Sequence, residues 1–344
     1  MSVLHDEIFE QPACIRQFLD QEAGAVNAIG QALKERPFDY IFIAARGTSD
    51  NAARYGQYLF GTANRLPVAL AGPSLFTVYA MPPVLNRALI IGISQSGQSP
   101  DIVSVVEEGR RQGAPTVAIT NDPESPLAKT AEYHIHLEVG KERSVAATKT
   151  YTAELAAVAL LSISLAGQTE HLNLLRAVPD YMQSVLESEP QAEAAAQWLK
   201  DFNRAVVIGR GVNFSTTCEV ALKIKELSYV GAEPYSSADF KHGPMALVDE
   251  TLPVIMVSAG EAFCSELSEM ARQLREQGAR LTLLSDRPKT HPDDLYIPLP
   301  AGMPEWLTPL VAILPGQLLA FHLSRARGYD PDQPRSIRKV TRTY

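Results

Sequence analysis

Along the chain, short runs of β-branched and other apolar residues alternate with longer segments whose apolar positions recur at helical spacing. YIFIAA (40–45) precedes RGTSDNAARYGQYLFG, RALIIGI (87–93) precedes a polar row and a helical segment, and TVAIT (116–120) is a third run. The pattern then restarts. AVVIGRG (205–211) precedes VNFSTTCEVALKIKELSYV, PVIMVS (253–258) precedes SELSEMARQLREQG, and RLTLLSD (280–286) closes a unit. Unbroken apolar strands alternating with helices predict parallel sheets covered on both faces, an α/β doubly wound architecture. The apolar run AAVALLSISLAG (156–167) is too short to span a bilayer and predicts a buried helix.

The restart reads as an internal duplication. Gln112-Gly113-Ala114 precedes a strand in the first half, and Gln277-Gly278-Ala279 does so 165 positions later. Each glycine suits a left-handed helix end. Arg46-Gly47 and Arg210-Gly211 both stand where the first strand of a half ends. The pattern predicts two tandem domains, 1–180 and 181–344. A single large sheet with accidental similarity stays open at this level.

Composition narrows the function. The 344 residues carry a net charge of -8, whereas nucleic-acid binders more often show a basic face. Cys14, Cys218 and Cys264 are scattered and form no CxxC pair, which argues against a disulfide framework or a zinc site. The opening MSVLHDEIFEQP holds Asp6, Glu7 and Glu10 and does not read as a signal peptide. The expectation is a soluble cytoplasmic protein with no membrane or nucleic-acid partner.

After RALIIGI comes a dense polar row, Ser94-Gln95-Ser96-Gly97-Gln98-Ser99, then Pro100 and Asp101. Ligands of open parallel sheets bind beyond the C-terminal strand ends. A helix N-terminus there offers free N–H groups and a positive dipole end. Ser99 is placed as N-cap and Pro100 as first helical residue. The serine hydroxyls can donate to phosphate oxygens, and Gly97 allows close backbone approach. A turn that only caps its helix is the plainer alternative, for which one serine would suffice. The P-loop lysine is missing where Gln98 stands, and no GxGxxG lies nearby, so a monophosphate fits better than a nucleotide. The second-half counterpart, SAGEAF (258–263), lacks the hydroxyl row, so one such site per chain is expected.

In the second half, Glu219, Lys223 and Glu226 fall at i, i+4 and i+7 and share one helix face. They read either as a solvated salt-bridge ladder or as an acid–base cluster. His242 sits in the turn Lys241-His242-Gly243-Pro244, either as a surface residue or as a proton carrier. A carboxylate and a histidine serving one phosphosugar suit ring opening and enolisation, with no cofactor and no metal implied.

GTS (47–49), SQSGQSPD (94–101), ERSVAATKTYT (142–152), ALKIKELSY (221–229) and DFKHGPMALVD (239–249) resemble the sugar isomerase (SIS) domains of glucosamine-6-phosphate synthase. EIFEQP (7–12) and PRSIRKVT (334–341) are similar too, so the resemblance spans almost the whole chain. It implies that Gly47, Thr48, Ser49, Ser94, Gln95, Ser96 and Ser99 hold the sugar and its phosphate, with Val145 and Ala147 as a pocket wall. It implies that Glu226 moves the proton between C1 and C2, with Lys223 beside it. It also makes His242 the ring-opening residue, donated by the partner of a homodimer, and Lys339 a tail lysine able to form an imine with the open ketose. Arg46, Gln98 and Arg338 depart from the synthase pattern, and the two arginines suit an anionic substrate.

The synthases carry an N-terminal glutaminase whose cysteine follows the initiator methionine. Here Ser2 follows Met1, so the expectation is a chain without that domain, running the isomerase toward ammonia release. This resembles the isomerase-type glucosamine-6-phosphate deaminases. A fructosamine-6-phosphate deglycase, a simple aldose–ketose isomerase and a sugar-phosphate-sensing regulatory module are the alternatives.

Overall fold

The computed structural model describes residues 2–339. Two five-stranded sheets form, with every strand pair parallel. The first holds β1 (Tyr40–Ala44), β2 (Val68–Leu70), β3 (Ala88–Ile93), β4 (Thr116–Thr120) and β5 (Tyr133–His136), in the order β2-β1-β3-β4-β5. The second holds β6 (Arg204–Gly209), β7 (Gly231–Ser236), β8 (Val254–Ser258), β9 (Leu281–Ser285) and β10 (Leu295–Pro298), in the order β10-β9-β8-β6-β7. Read strand for strand, the two orders are the same. The register pairs Ala44 with Gly92 in one sheet and Ile208 with Met256 in the other, each 164 positions after its counterpart. The duplication is therefore structural as well as sequential.

Each sheet has its own core. The first packs Phe42, Ile90 and Ala118 against Ile102, Val105 and Val106 of the helix Pro100–Arg111. The second packs Val206, Val254 and Met256 against Leu267, Met270 and Leu274 of the helix Cys264–Glu276. On the first sheet's side, Lys149–Ala166 is buried almost end to end, as its apolar run predicts. In the second half the matching helix is Thr308–Ala326, which the apolar pattern did not single out. Thr308, Pro309, Pro315, Gly316 and Gln317 interrupt its run. It is long and apolar enough to cross a membrane, yet its apolar stretch is wholly buried in the fold, as a core helix must be. Gly113 and Gly278 end their helices with φ of +81° and +91°.

The chain opens with the helix Val3–Lys34, where an N-terminal helical segment is expected. Asp332 caps it, its carboxylate accepting from the N–H groups of Val3 at 3.0 Å and Leu4 at 2.8 Å. Pro12 lies inside this helix and has no N–H for the carbonyl of Ile8. Gln11 repairs the gap, its Nε2 donating to that carbonyl at 2.9 Å and to Gln317 at 2.7 Å.

Contacts divide the chain into two compact units. One contains the first sheet, residues 13–142 and 149–177, together with Arg338 and Lys339 of the tail. The other contains the second sheet, residues 178–337, with the start of the chain through Pro12 and the short segment Arg143–Thr148. The longest continuous stretch of the second of these units begins at Val178, and each unit also takes short segments from elsewhere in the chain. Glu7 explains one exchange, because its buried carboxylate accepts from Arg143 N at 2.6 Å and Ser144 N at 3.1 Å.

Candidate active site

The first unit carries the serine row in the loop between β3 and the helix Pro100–Arg111. The loop is fixed by its own bonds. Gly97 N donates to Ser94 Oγ at 3.2 Å, and Gln98 N donates to Ser96 Oγ at 3.3 Å. The Gln95 carbonyl accepts from Asn121 N at 3.0 Å and Thr120 Oγ1 at 3.2 Å. A serine oxygen that accepts a backbone N–H still has its own O–H to donate. Ser94 and Ser96 are thus turned into rigid donors, which is what an anion requires. Ser99 occupies the N-cap position as expected, but its side chain makes no capping bond. Capping alone therefore does not account for the row. Gly97 has φ of +60°, and a Cβ there would lie 2.2 Å from Ser125 Oγ, so only glycine fits.

Beside this loop, Gly47 opens the helix Gly47–Ala63 with φ of +53°. Thr48 is half-buried, and Ser49 is buried with its Oγ donating to the buried carboxylate of Glu154 at 2.8 Å. Ser49 is therefore tied to the fold in this structure. Arg46 precedes Gly47, and its Nε donates to Asp101 Oδ2 at 2.9 Å. Asp101 is 1% exposed and stands in the first turn after the serine row. The tail reaches the same unit. Lys339 pairs with Glu142, a fully buried carboxylate that also accepts from Thr150 N at 3.1 Å and Thr150 Oγ1 at 2.7 Å. Arg338 is exposed.

The second unit carries the acid–base cluster on the helix Asn213–Ser228. Lys223 Nζ lies 2.6 Å from Glu226 Oε2 and 3.3 Å from Glu219 Oε1. Lys223 is 1% exposed and Glu219 0%, so this is not a solvated ladder. Burial alone would push the Lys223 ammonium down, but the two carboxylates outweigh it and hold it above the ordinary lysine value. That contribution to stability is fully present below the ordinary lysine range and is lost only as pH rises through the raised native value. Glu226, at 23% exposure, is the one member of the trio that solvent or a ligand can reach. His242 is exposed at the end of the short helix Ser237–Lys241, and its ring makes no hydrogen bond among the described residues. Val145 and Ala147 are half-buried in the segment that Glu7 holds. The structure thus gathers Gly47, Thr48, Ser49, Ser94, Gln95, Ser96, Ser99 and Lys339 in one unit. It places Lys223, Glu226, His242, Val145 and Ala147 in the other.

Sequence reasoning passed over Glu142, Glu154 and the Arg46–Asp101 pair. The signal for Glu142 was present, since it opens the quoted motif ERSVAATKTYT.

The SIS domain family matches this chain twice, over residues 38–164 and 199–324. A glutamine–fructose-6-phosphate aminotransferase (isomerizing) of Thermosynechococcus vestitus is 34% identical over 97% of this chain and 58% of its own length. The chain spans little more than half of the curated relatives it matches, 56–58% of those compared. Among solved structures, the C-terminal domain of glucosamine-fructose-6-phosphate aminotransferase from Francisella tularensis superposes with a TM-score of 0.89, at 25% identity over 97% of this chain and 98% of that one. A Silicibacter pomeroyi DSS-3 protein, provisionally named a phosphosugar isomerase, superposes with a TM-score of 0.86, at 33% identity over 96% of this chain and all of that one.

Two stability predictions follow from this geometry. Gly97→Ala should cost about 2–5 kcal/mol, the sum of a left-handed alanine and an overpacked contact, read as a lowered urea midpoint. Lys223→Met should cost about 3–5 kcal/mol by leaving the buried Glu219 carboxylate without its cation, next to the Glu226 carboxylate. Adding Glu219→Gln should recover part of that loss.

Proposed function

The chain belongs to the SIS domain family, and we propose that it is a glucosamine-6-phosphate deaminase of the isomerising kind. The observation that carries this reading is the buried Lys223. It binds two carboxylates and leaves Glu226 as the accessible one, a base held in place by a fixed cation. An accessible carboxylate beside a permanent positive charge suits proton transfer between adjacent carbons. The serine row supplies donors for a phosphate. The relatives' name couples fructose 6-phosphate with an amino group, so the same pair of sugars is the natural substrate class.

In this reading the pyranose of glucosamine 6-phosphate opens with help from His242, exposing the C1 aldehyde. Glu226 removes the C2 proton, giving an enolamine, and returns it to C1. The product is a C2 imine with a C1 alcohol. Water adds at C2, the C–N bond breaks, and fructose 6-phosphate and ammonia leave. Lys223 holds the carboxylate that shuttles the proton, and Lys339, anchored by Glu142, is the lysine that can meet the open ketose. Abundant water and dilute ammonia favour this direction by mass action. The same reading implies a homodimer in which His242 serves the partner's site.

Purified protein given glucosamine 6-phosphate without a cofactor should release ammonia and fructose 6-phosphate in equal amounts. Glu226→Gln should keep phosphosugar binding and lose turnover by roughly 10²–10⁴-fold. Release of neither product by folded protein would refute deamination and redirect the test to fructosamine 6-phosphates. For the dimer, mixing inactive His242→Asn and Glu226→Gln variants should restore part of the activity, and continued inactivity would mean that each chain works with its own residues.

A further inference from the structure

We propose that Arg46 is a phosphate ligand of the serine loop and the residue that sets its affinity for phosphosugars, an inference that rests on the functional reading above. Placement is the first argument. The register Ala44–Gly92 puts the ends of β1 and β3 side by side. Arg46 and Ser94 each lie two residues further on, so they leave the sheet together. The guanidinium is then fixed at the start of the helix Pro100–Arg111 by its 2.9 Å bond to Asp101.

Charge is the second argument. Asp101 is a buried carboxylate in the first turn of the helix whose N-terminus faces the serine row. Unpaired, it would oppose an incoming phosphate. Arg46 neutralises it through Nε, and the side chain is still 51% exposed. The two Nη groups of Arg46 have no partner among the described residues. A planar fork with a free edge suits a phosphate.

The duplicated half supplies the third argument. There Arg210 directly follows β6, and its Nε lies 3.8 Å from Glu266 in the first turn of the helix Cys264–Glu276. An arginine–acid ion pair, longer and with a half-exposed carboxylate, therefore recurs beside the counterpart loop. That loop, however, is already filled by an anion of the chain itself. Glu305 Oε2 accepts from Ala262 N at 3.1 Å, and the Glu305 side chain would lie 2.6 Å from a Cβ on Gly260 and 3.5 Å from one on Gly211. The ring of Phe263 covers the Arg210 guanidinium at 5.3 Å. Among the described residues of the first half, no carboxylate accepts from residues 94–99 and no ring covers Arg46. The fold builds one anion seat per half, fills the second with Glu305, and leaves the first, with its arginine, for a ligand.

The test compares full-length wild type with Arg46→Ala, Arg46→Lys and the double variant Arg46→Ala/Asp101→Asn. The double variant removes both charges, so no buried carboxylate is left unpaired to compromise folding. The readouts are thermal stabilisation by inorganic phosphate and the KM for glucosamine 6-phosphate. Arg46→Ala and the double variant should weaken phosphate binding and raise KM by roughly 10–100-fold, with kcat falling much less. Arg46→Lys should recover part of the loss, and phosphate affinity should depend less on salt in the alanine variants. A folded double variant that binds phosphate within about twofold of wild type would overturn the assignment. So would a loss confined to kcat. If wild type itself gains no stability from phosphate or phosphosugar, the functional reading falls and takes this assignment with it.

Discussion

Parallel pairing governs the rest of this structure. A strand that runs parallel to its neighbour can be reached only by a crossover, so each helix returns the chain to the same edge of the sheet. All loops that follow strands therefore gather at the C-terminal edge. In the first sheet the crossovers depart in opposite directions from β1 and β3, which are neighbours, and the two loops part there. Arg46, Gly47 and the serine row occupy that point because the strand order leaves them nowhere else. The second sheet repeats the order and brings Arg210, Gly211 and SAGEAF to the equivalent place.

Charges in this protein are buried in matched sets. Asp101 is covered and Arg46 reaches it from the surface. Glu142 is covered and Lys339 reaches it from the tail. The trio on the helix Asn213–Ser228 inverts the pattern, because there the cation is innermost and one carboxylate faces outward. An isolated buried ion would be prohibitively costly, so each of these groups requires its partner. The consequence for chemistry differs with the order. A covered acid fixes an outer cation, ready for an anion. A covered cation fixes an outer carboxylate, ready for a proton.

The limits of the sequence reading follow the same physics. The six strands it located, β1, β3, β4, β6, β8 and β9, are the central ones, flanked on both sides and buried as continuous apolar runs. The four it missed, β2, β5, β7 and β10, are the sheet edges. Val68–Leu70 has three residues, none fully buried, and Gly231–Ser236 contains Pro234, tolerated only at an edge. Edge strands lack the apolar signal because only part of each is covered. The candidate site divides similarly. The serine row and the i, i+4, i+7 trio were legible because a loop and a helix have fixed local spacing. Glu142 with Lys339 and Arg46 with Asp101 were not, since they lie 197 and 55 positions apart and only the fold joins them.

Loop amides at the end of a parallel strand and the start of a helix cannot be satisfied by secondary structure, so something else must accept from them. The two halves solve this differently. In the second, carboxylates do it: Asp286 accepts from Gly260 N at 3.0 Å and Glu305 from Ala262 N at 3.1 Å. A carboxylate is a permanent occupant, and it brings the negative charge that a phosphate would otherwise bring. In the first half, hydroxyls do it, with Ser94 and Ser96 accepting from Gly97 and Gln98. A hydroxyl satisfies the amide, adds no charge, and keeps a proton to give away. The difference between a filled seat and an open one is thus a matter of which acceptor satisfies the loop.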